Sequence, residues 1–205
     1  MAADAMNETS KSAFSVLLPL LAASLLAACS PGGSESPPLQ GAKIGGPFTL
    51  TNQDGQRVSS DQFDGKYRLV YFGYTYCPDV CPVDLQQIGL AMKKLEESDP
   101  QAAAKVQPIF ITTDPERDTP QVLKEYVSAF HPRLIGLTGT PQEIAAVSKS
   151  FGVYAVKQES EGSTDYLVNH SRLAFLFGPQ GEPIVLLPHD EGAEAIKAEL
   201  EKWVR

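Results

Sequence analysis

Residues 67–82 read YRLVYFGYTYCPDVCP. The first seven, Tyr67 to Gly73, are dominated by aromatic and β-branched side chains, the composition of a buried strand. Two cysteines follow in a polar turn, Thr75-Tyr76-Cys77-Pro78-Asp79-Val80-Cys81-Pro82, each directly before a proline. From Pro82 to Ser98, Leu85, Ile88, Met92 and Leu95 recur at helical spacing. A residue before proline is pushed out of the α region, so Cys77 is expected to be extended and Cys81 to be the N-cap, with Pro82 at the first helical position. Both sulfurs then emerge at the carboxyl end of a strand, where open α/β sheets place their sites. Cys81 would sit at the positive end of a helix, where free N–H groups stabilise a thiolate.

The same reading extends outward. Pro47 to Val58 makes a hairpin around Asp54-Gly55. Val106 to Thr112 is a second strand. Thr119-Pro120 opens a helix with an apolar face of Val122, Leu123, Tyr126, Val127 and Phe130, which His131-Pro132 ends. Leu134 to Leu137 is a short strand. Thr140-Pro141-Gln142-Glu143 is a capping box, and Gly152 closes its helix as C-cap. Tyr154–Val156 and Tyr166–Val168 flank a polar loop. Arg172–Phe177 and Ile184–Leu187 are strands around the Gly178–Gly181 turn, and Glu191 to Arg205 is a last helix. Alternating β and α elements predict an α/β domain: a central mixed β-sheet flanked by helices, with an N-terminal β-hairpin. Strand, cysteine loop, helix and a late antiparallel strand pair are thioredoxin-like in outline.

A chain of 205 residues accommodates one domain and a tail. Its net charge of −8 excludes the basic footprint of a nucleic-acid binder. Three cysteines are too few for a disulfide scaffold. Phe14 to Ala28 is an apolar run of signal-peptide length, interrupted by Pro19. It ends Leu26-Ala27-Ala28-Cys29, which resembles the lipobox of bacterial lipoproteins, with Cys29 as the lipidated first mature residue. Ser30 to Gln40 is rich in Pro, Gly and Ser. The expected organisation is therefore a lipoprotein signal peptide over 1–28, a flexible tether over 29–46 and a folded domain over 47–205. The lipid would anchor the chain to a membrane, with the domain facing the periplasm or the outer side of the cytoplasmic membrane, where thiols tend to be oxidised.

Only Cys77 and Cys81 remain in the domain. Such a pair can form a redox disulfide or hold a metal. A disulfide exchanger usually has two residues between its cysteines; three lie between these. Arg172 stands where thioredoxin-like enzymes carry a cis-proline. A cysteine peroxidase carries its reactive thiol in a threonine-containing loop; Thr75 lies two residues before Cys77, but the rest of that pattern is missing. Among the histidines, His131 and His189 read as surface residues. His170, in Val168-Asn169-His170-Ser171 ahead of a late strand, falls beside the cysteine loop in a thioredoxin-like fold. Two thiolates and an imidazole form a soft, three-coordinate set that suits Cu(I) and Cu(II), whereas structural zinc prefers a fourth ligand.

Three motifs carry a resemblance to a known family. Thr75, Cys77, Pro78, Cys81 and Pro82 match T-x-C-P-x-x-C-P, Asp114 to Pro120 match D-P-x-R-D-T-P, and His170 lies in V-x-H-S. The chain resembles the Sco/SenC family of copper-binding assembly factors for cytochrome c oxidase, from about Pro47 to Arg205. The resemblance implies copper, Cu(I) and Cu(II), on Cys77, Cys81 and His170, destined for the dinuclear copper site of oxidase subunit II and received from an upstream periplasmic donor. Asn169 stands where many members have aspartate, which bears on the second shell of His170. Asp114 and Asp118 lie near the cysteines, tuning the site or meeting a partner; a turn and a helix start explain them equally well. The alternative function is a thiol–disulfide oxidoreductase that keeps the oxidase's cysteines reduced, with Cys77 and Cys81 as its redox pair.

Overall fold

The computed structural model describes residues 35–159 and 166–205. The expected signal peptide, the lipidated Cys29 and the tether through Ser34 lie outside the described residues. A compact unit spans Pro37–Arg205.

Strand β3 (Tyr67–Gly73) is the middle of the molecule. It runs parallel to β4 (Val106–Thr112), with Tyr71 opposite Phe110, and antiparallel to β8 (Ala174–Phe177). β5 (Ile135–Thr138) continues the parallel part, and β1 (Thr49–Asn52) pairs antiparallel to both β5 and β2 (Arg57–Ser59). β9 (Pro183–Leu186) closes the other edge, giving the order β2-β1-β5-β4-β3-β8-β9. This is the mixed sheet expected, with Gly55 at φ +78 in the hairpin turn. A separate two-stranded sheet pairs β6 (Ala155–Glu159) with β7 (Tyr166–His170).

Helices cover both faces. On one lie α1 (Val80–Ser98), α2 (Pro100–Lys105), α3 (Pro120–Ser128) and α5 (Ala193–Trp203), through Leu85, Ile88, Met92, Ala103, Leu123, Ile196 and Leu200. On the other lies α4 (Pro141–Ser150), through Ile144 and Val147. The capping signals hold: Thr119 accepts from the Val122 N–H, and the Thr140–Glu143 box is complete.

Three expectations need correction. Part of the tether is not free: the Leu39 N–H donates to the Ile184 carbonyl at 2.9 Å and the Gly45 N–H to the Ser150 carbonyl at 2.8 Å. Gly45, at φ +82, packs so tightly that a Cβ there would come within 2.6 Å of the Phe177 ring. Second, α1 begins at Val80 with Asp79 as N-cap, so Cys81 lies inside the first turn. Third, α2 was not anticipated, although Asp99 accepts from the Gln101 and Ala102 N–H groups ahead of Pro100, an ordinary N-cap. Among the described residues no helix is long and apolar enough to cross a membrane.

Candidate metal centre

The cysteine loop leaves β3 at Gly73 and enters α1. Cys81 is fully buried, and its Sγ lies over Gly73, where a Cβ would sit 2.8 Å from the sulfur. Glycine therefore makes room for the thiol. The loop is pinned by Asp118, which accepts from the Thr75 N–H at 3.0 Å, the Thr75 hydroxyl at 2.6 Å and the Thr112 hydroxyl at 2.5 Å. Burial pushes the pKa of Asp118 up, and the hydrogen bonds from Thr112 and Thr75 oppose the shift.

His170 ends β7, opposite Ala155. Its Nε2 lies 3.2 Å from Cys81 Sγ, and its Nδ1 lies 3.0 Å from the Ser171 carbonyl. In the neutral ring Nδ1–H donates to that carbonyl, which leaves the Nε2 lone pair on the sulfur side. The Tyr74 ring packs edge-on against the imidazole at 5.7 Å. One ligand atom each from Cys77, Cys81 and His170 falls within 4.8 Å of the others.

The two thiols are unequal. Cys77 is half-buried, which by itself would raise its pKa; the hydrogen bond from the Cys81 thiol, the largest influence, and those from the Asp79 and Cys81 N–H groups outweigh burial and bring it down to about 3. Cys81 is pushed up, by its hydrogen bond to Cys77 and by burial. From the sequence alone the helix-terminal stabilisation falls to Cys81. Because α1 starts earlier, the Cys81 N–H points back at Cys77 Sγ, 3.5 Å away, and Cys77 receives it.

The acidic residues divide. Asp114 and Asp118 are both buried, so neither faces a partner. Asp114 accepts from Arg117 Nε at 2.5 Å and the Tyr166 hydroxyl at 2.7 Å. Arg117 in turn lies over the rings of Tyr166, Tyr76 and Tyr74, at 3.7, 4.8 and 5.8 Å, and donates to the Tyr166 carbonyl. It joins the cysteine loop to the β6–β7 ribbon, a role not visible from the motif. Asn169 is exposed, paired across the ribbon with Val156. The fixed partner of His170 is the Ser171 carbonyl instead.

A second group escaped the sequence reading. Asp84 is buried on the apolar stripe of α1, three residues after Cys81. It accepts from the Tyr71 hydroxyl at 2.8 Å and from Arg172 at 3.1 and 2.7 Å, with His189 Nε2 3.6 Å away. A carboxylate amid Leu85 and Ile88 was the available signal. His189 and His131, expected at the surface, are both buried; His131 accepts from the Arg133 N–H.

Two sulfurs and one imidazole nitrogen make a soft donor set, and among the described residues no fourth His, Cys, Asp or Glu joins it. Copper fits such a set better than structural zinc. Comparison with known proteins agrees with the geometry. Residues 36–205 match the family model described as SCO1/SenC. The mitochondrial SCO1 homolog 1 of Arabidopsis thaliana is 48% identical over 146 residues, 71% of this chain and 42% of that protein. The chain spans about half the length of the curated relatives it matches. The structure of Bradyrhizobium japonicum ScoI with copper bound superposes at a TM-score of 0.71 with 41% identity, over 78% of this chain and 99% of that one. The thioredoxin domain of a Bacteroides vulgatus thiol-disulfide oxidoreductase, 15% identical, superposes at 0.55 over 79% of this chain and 96% of its own. The fold is thioredoxin-like.

Proposed function

The chain belongs to the SCO1/SenC family, and we propose that it is an extracytoplasmic copper chaperone that carries copper as cargo on Cys77, Cys81 and His170 for the dinuclear copper site of cytochrome c oxidase. The observation that carries this reading is the convergence of the three ligand atoms within 4.8 Å, at the carboxyl end of β3, with the imidazole already oriented by Ser171. Copper binding displaces protons from the thiols. Cys77, already biased to thiolate, is the entry ligand; Cys81 and His170 complete the set. A three-ligand site leaves a position for a thiol or imidazole of the acceptor, and half-exposed Cys77, beside exposed Tyr76, is where that exchange begins. The acceptor is the copper-site domain of subunit II, and the donor is a periplasmic copper carrier. The lipid on Cys29 holds the chain to a membrane with this domain on the periplasmic or outer side.

A second reading rests on the inequality of the thiols. An accessible thiolate at Cys77 with a buried thiol at Cys81 is the arrangement of an attacking and a resolving cysteine. Cys77 would open the acceptor's disulfide as a mixed disulfide. Cys81, losing its proton, would then release a dithiol and leave Cys77–Cys81 oxidised, two electrons having passed from this chain.

One experiment separates them. Cu(II) is added anaerobically to the reduced protein and to His170→Ala, with absorption and EPR recorded. The chaperone reading expects a sulfur-to-copper charge-transfer band at one copper per chain. It also expects Cu(II) affinity in the variant to fall by more than the roughly tenfold typical of losing an outer-shell partner. No band, with the thiols simply oxidised to a disulfide, would transfer the assignment to the oxidoreductase.

A further inference from the structure

The ion pair Arg172–Asp84 joins the same two segments as the metal ligands do. Cys81 and Asp84 lie one turn apart on α1; His170 ends β7 and Arg172 follows it by two residues. Among the described residues, the hydrogen bonds tying this His170 segment to α1 are the Cys81–His170 contact and Arg172's two bonds to Asp84. Ser171, between them, is tied elsewhere: its N–H donates to the Tyr154 carbonyl and its hydroxyl accepts from the Tyr154 N–H, within the ribbon itself. Asp84 cannot drift, because it is 1% exposed and the Tyr71 hydroxyl holds its Oδ2 from β3. The guanidinium fork fixes direction as well as distance.

We propose that the Arg172–Asp84 pair is a positioning clamp that holds His170 against Cys81 and thereby sets the preference of the site between Cu(II) and Cu(I). The inference rests on the copper reading above. Cu(I) is satisfied by two thiolates, whereas Cu(II) gains more from an imidazole. Loosening the third ligand therefore penalises Cu(II) and spares Cu(I). The pair is buried on one side only, Arg172 being 41% exposed and Asp84 1%, so what it supplies is a fixed geometry more than net stability. A bidentate arginine fits that use.

The test compares wild type, Arg172→Gln, Arg172→Lys and His170→Ala. Cu(II) and Cu(I) affinities come from competition with chelators, and nitrogen coordination comes from EPR. In Arg172→Gln, Cu(II) affinity should fall about tenfold or more, the size of effect seen when an outer-shell partner is lost. Its nitrogen hyperfine signal should weaken, and Cu(I) affinity should stay within about threefold because the thiolates remain. Arg172→Lys, which keeps charge but loses the fork, should fall between. Should Arg172→Gln not fold, Asp84→Asn carries the same expectation while keeping the side-chain volume. Unchanged Cu(II) affinity and nitrogen signal in folded Arg172→Gln or Asp84→Asn would overturn the clamp and leave the copper site standing. No nitrogen signal in wild type, or an unchanged one in His170→Ala, would overturn the site reading and the clamp with it.

Discussion

On β3, Val70 and Phe72 enter one core, and Leu69 and Tyr71 enter the other. Beside α4 the filling is hydrocarbon. Phe72, Phe151, Phe175 and Phe177 pack tilted or edge to face with centroids 5.2 to 6.4 Å apart, backed by Ile109, Ile111 and Leu137. Beside α1 the corresponding layer admits Tyr71, Cys81, Asp84 and His189 among its leucines. Burying those polar groups costs free energy that only their mutual hydrogen bonds recover. The α4 face thus contributes cohesion, and the α1 face exchanges part of its cohesion for fixed positions around two sulfurs. One sheet serves both because successive strand residues alternate between faces.

The largest expected effect lies on the hydrocarbon face. Phe72→Ala removes a fully buried ring from the aromatic cluster and should cost about 3–5 kcal/mol of unfolding free energy. The copper spectrum of the molecules that remain folded should be unaltered. Chemical denaturation together with a copper titration checks both halves. An altered charge-transfer band would mean that the faces are coupled and that the division drawn here is wrong.

Gly73→Ala attacks the α1 face itself. The new methyl would sit 2.8 Å from Cys81 Sγ and 3.1 Å from the rings of Phe110 and Tyr71. Overpacking of this kind costs about 1–3 kcal/mol. Unlike Phe72→Ala, it should shift the copper band as well, because the atom with least room is a ligand. A lowered melting temperature with an unshifted band would show that Cys81 has slack and that the α1 face positions its sulfur less tightly than its contacts suggest.

How far each face was legible follows the same division. The strands Tyr67–Gly73 and Val106–Thr112 were readable to the residue, since each is a short, largely apolar run rich in aromatic and β-branched side chains. Cys77, Cys81 and His170 were legible as a set because the cysteine motif follows the strand Tyr67–Gly73, His170 precedes the strand Arg172–Phe177, and the thioredoxin-like outline with the Sco/SenC resemblance brings those two ends together. What failed was the polar context. The helix start moved to Val80 because Asp79 took the N-cap position despite the Pro82 signal, and that transferred the helix-terminal N–H from Cys81 to Cys77. Asp84 and Arg172 are 88 residues apart, and nothing local in either tells that they meet. For Asp114 a turn, a tuning role and a partner contact stayed equally open, because its burial depends on Tyr166, which comes from the distant ribbon, as well as on Arg117 in its own loop. Local periodicity reports a core; it does not report which polar groups satisfy one another across it.

The smallest effect separates the hydrocarbon face from its rim. Glu143, on α4, accepts from the Arg57 guanidinium at 2.6 Å and from the Thr140 N–H at 2.8 Å. The first of these does most to lower its pKa to about 2 from an ordinary 4.5. A folded-state pKa below the unfolded value adds stability above the unfolded value, and that stability is lost as pH falls from about 4.5 towards 2. Both side chains are solvated, so the pair contributes only a small, solvent-screened amount of stability. Glu143→Gln should therefore lower stability by that amount at pH 7, lose the difference from wild type near pH 2, and leave copper binding untouched. A difference that persisted undiminished at pH 2 would assign the effect to the neutral cap at Thr140 rather than to charge. A change in copper affinity would extend the influence of the α4 face to the metal site, against the separation that Phe72→Ala tests from within.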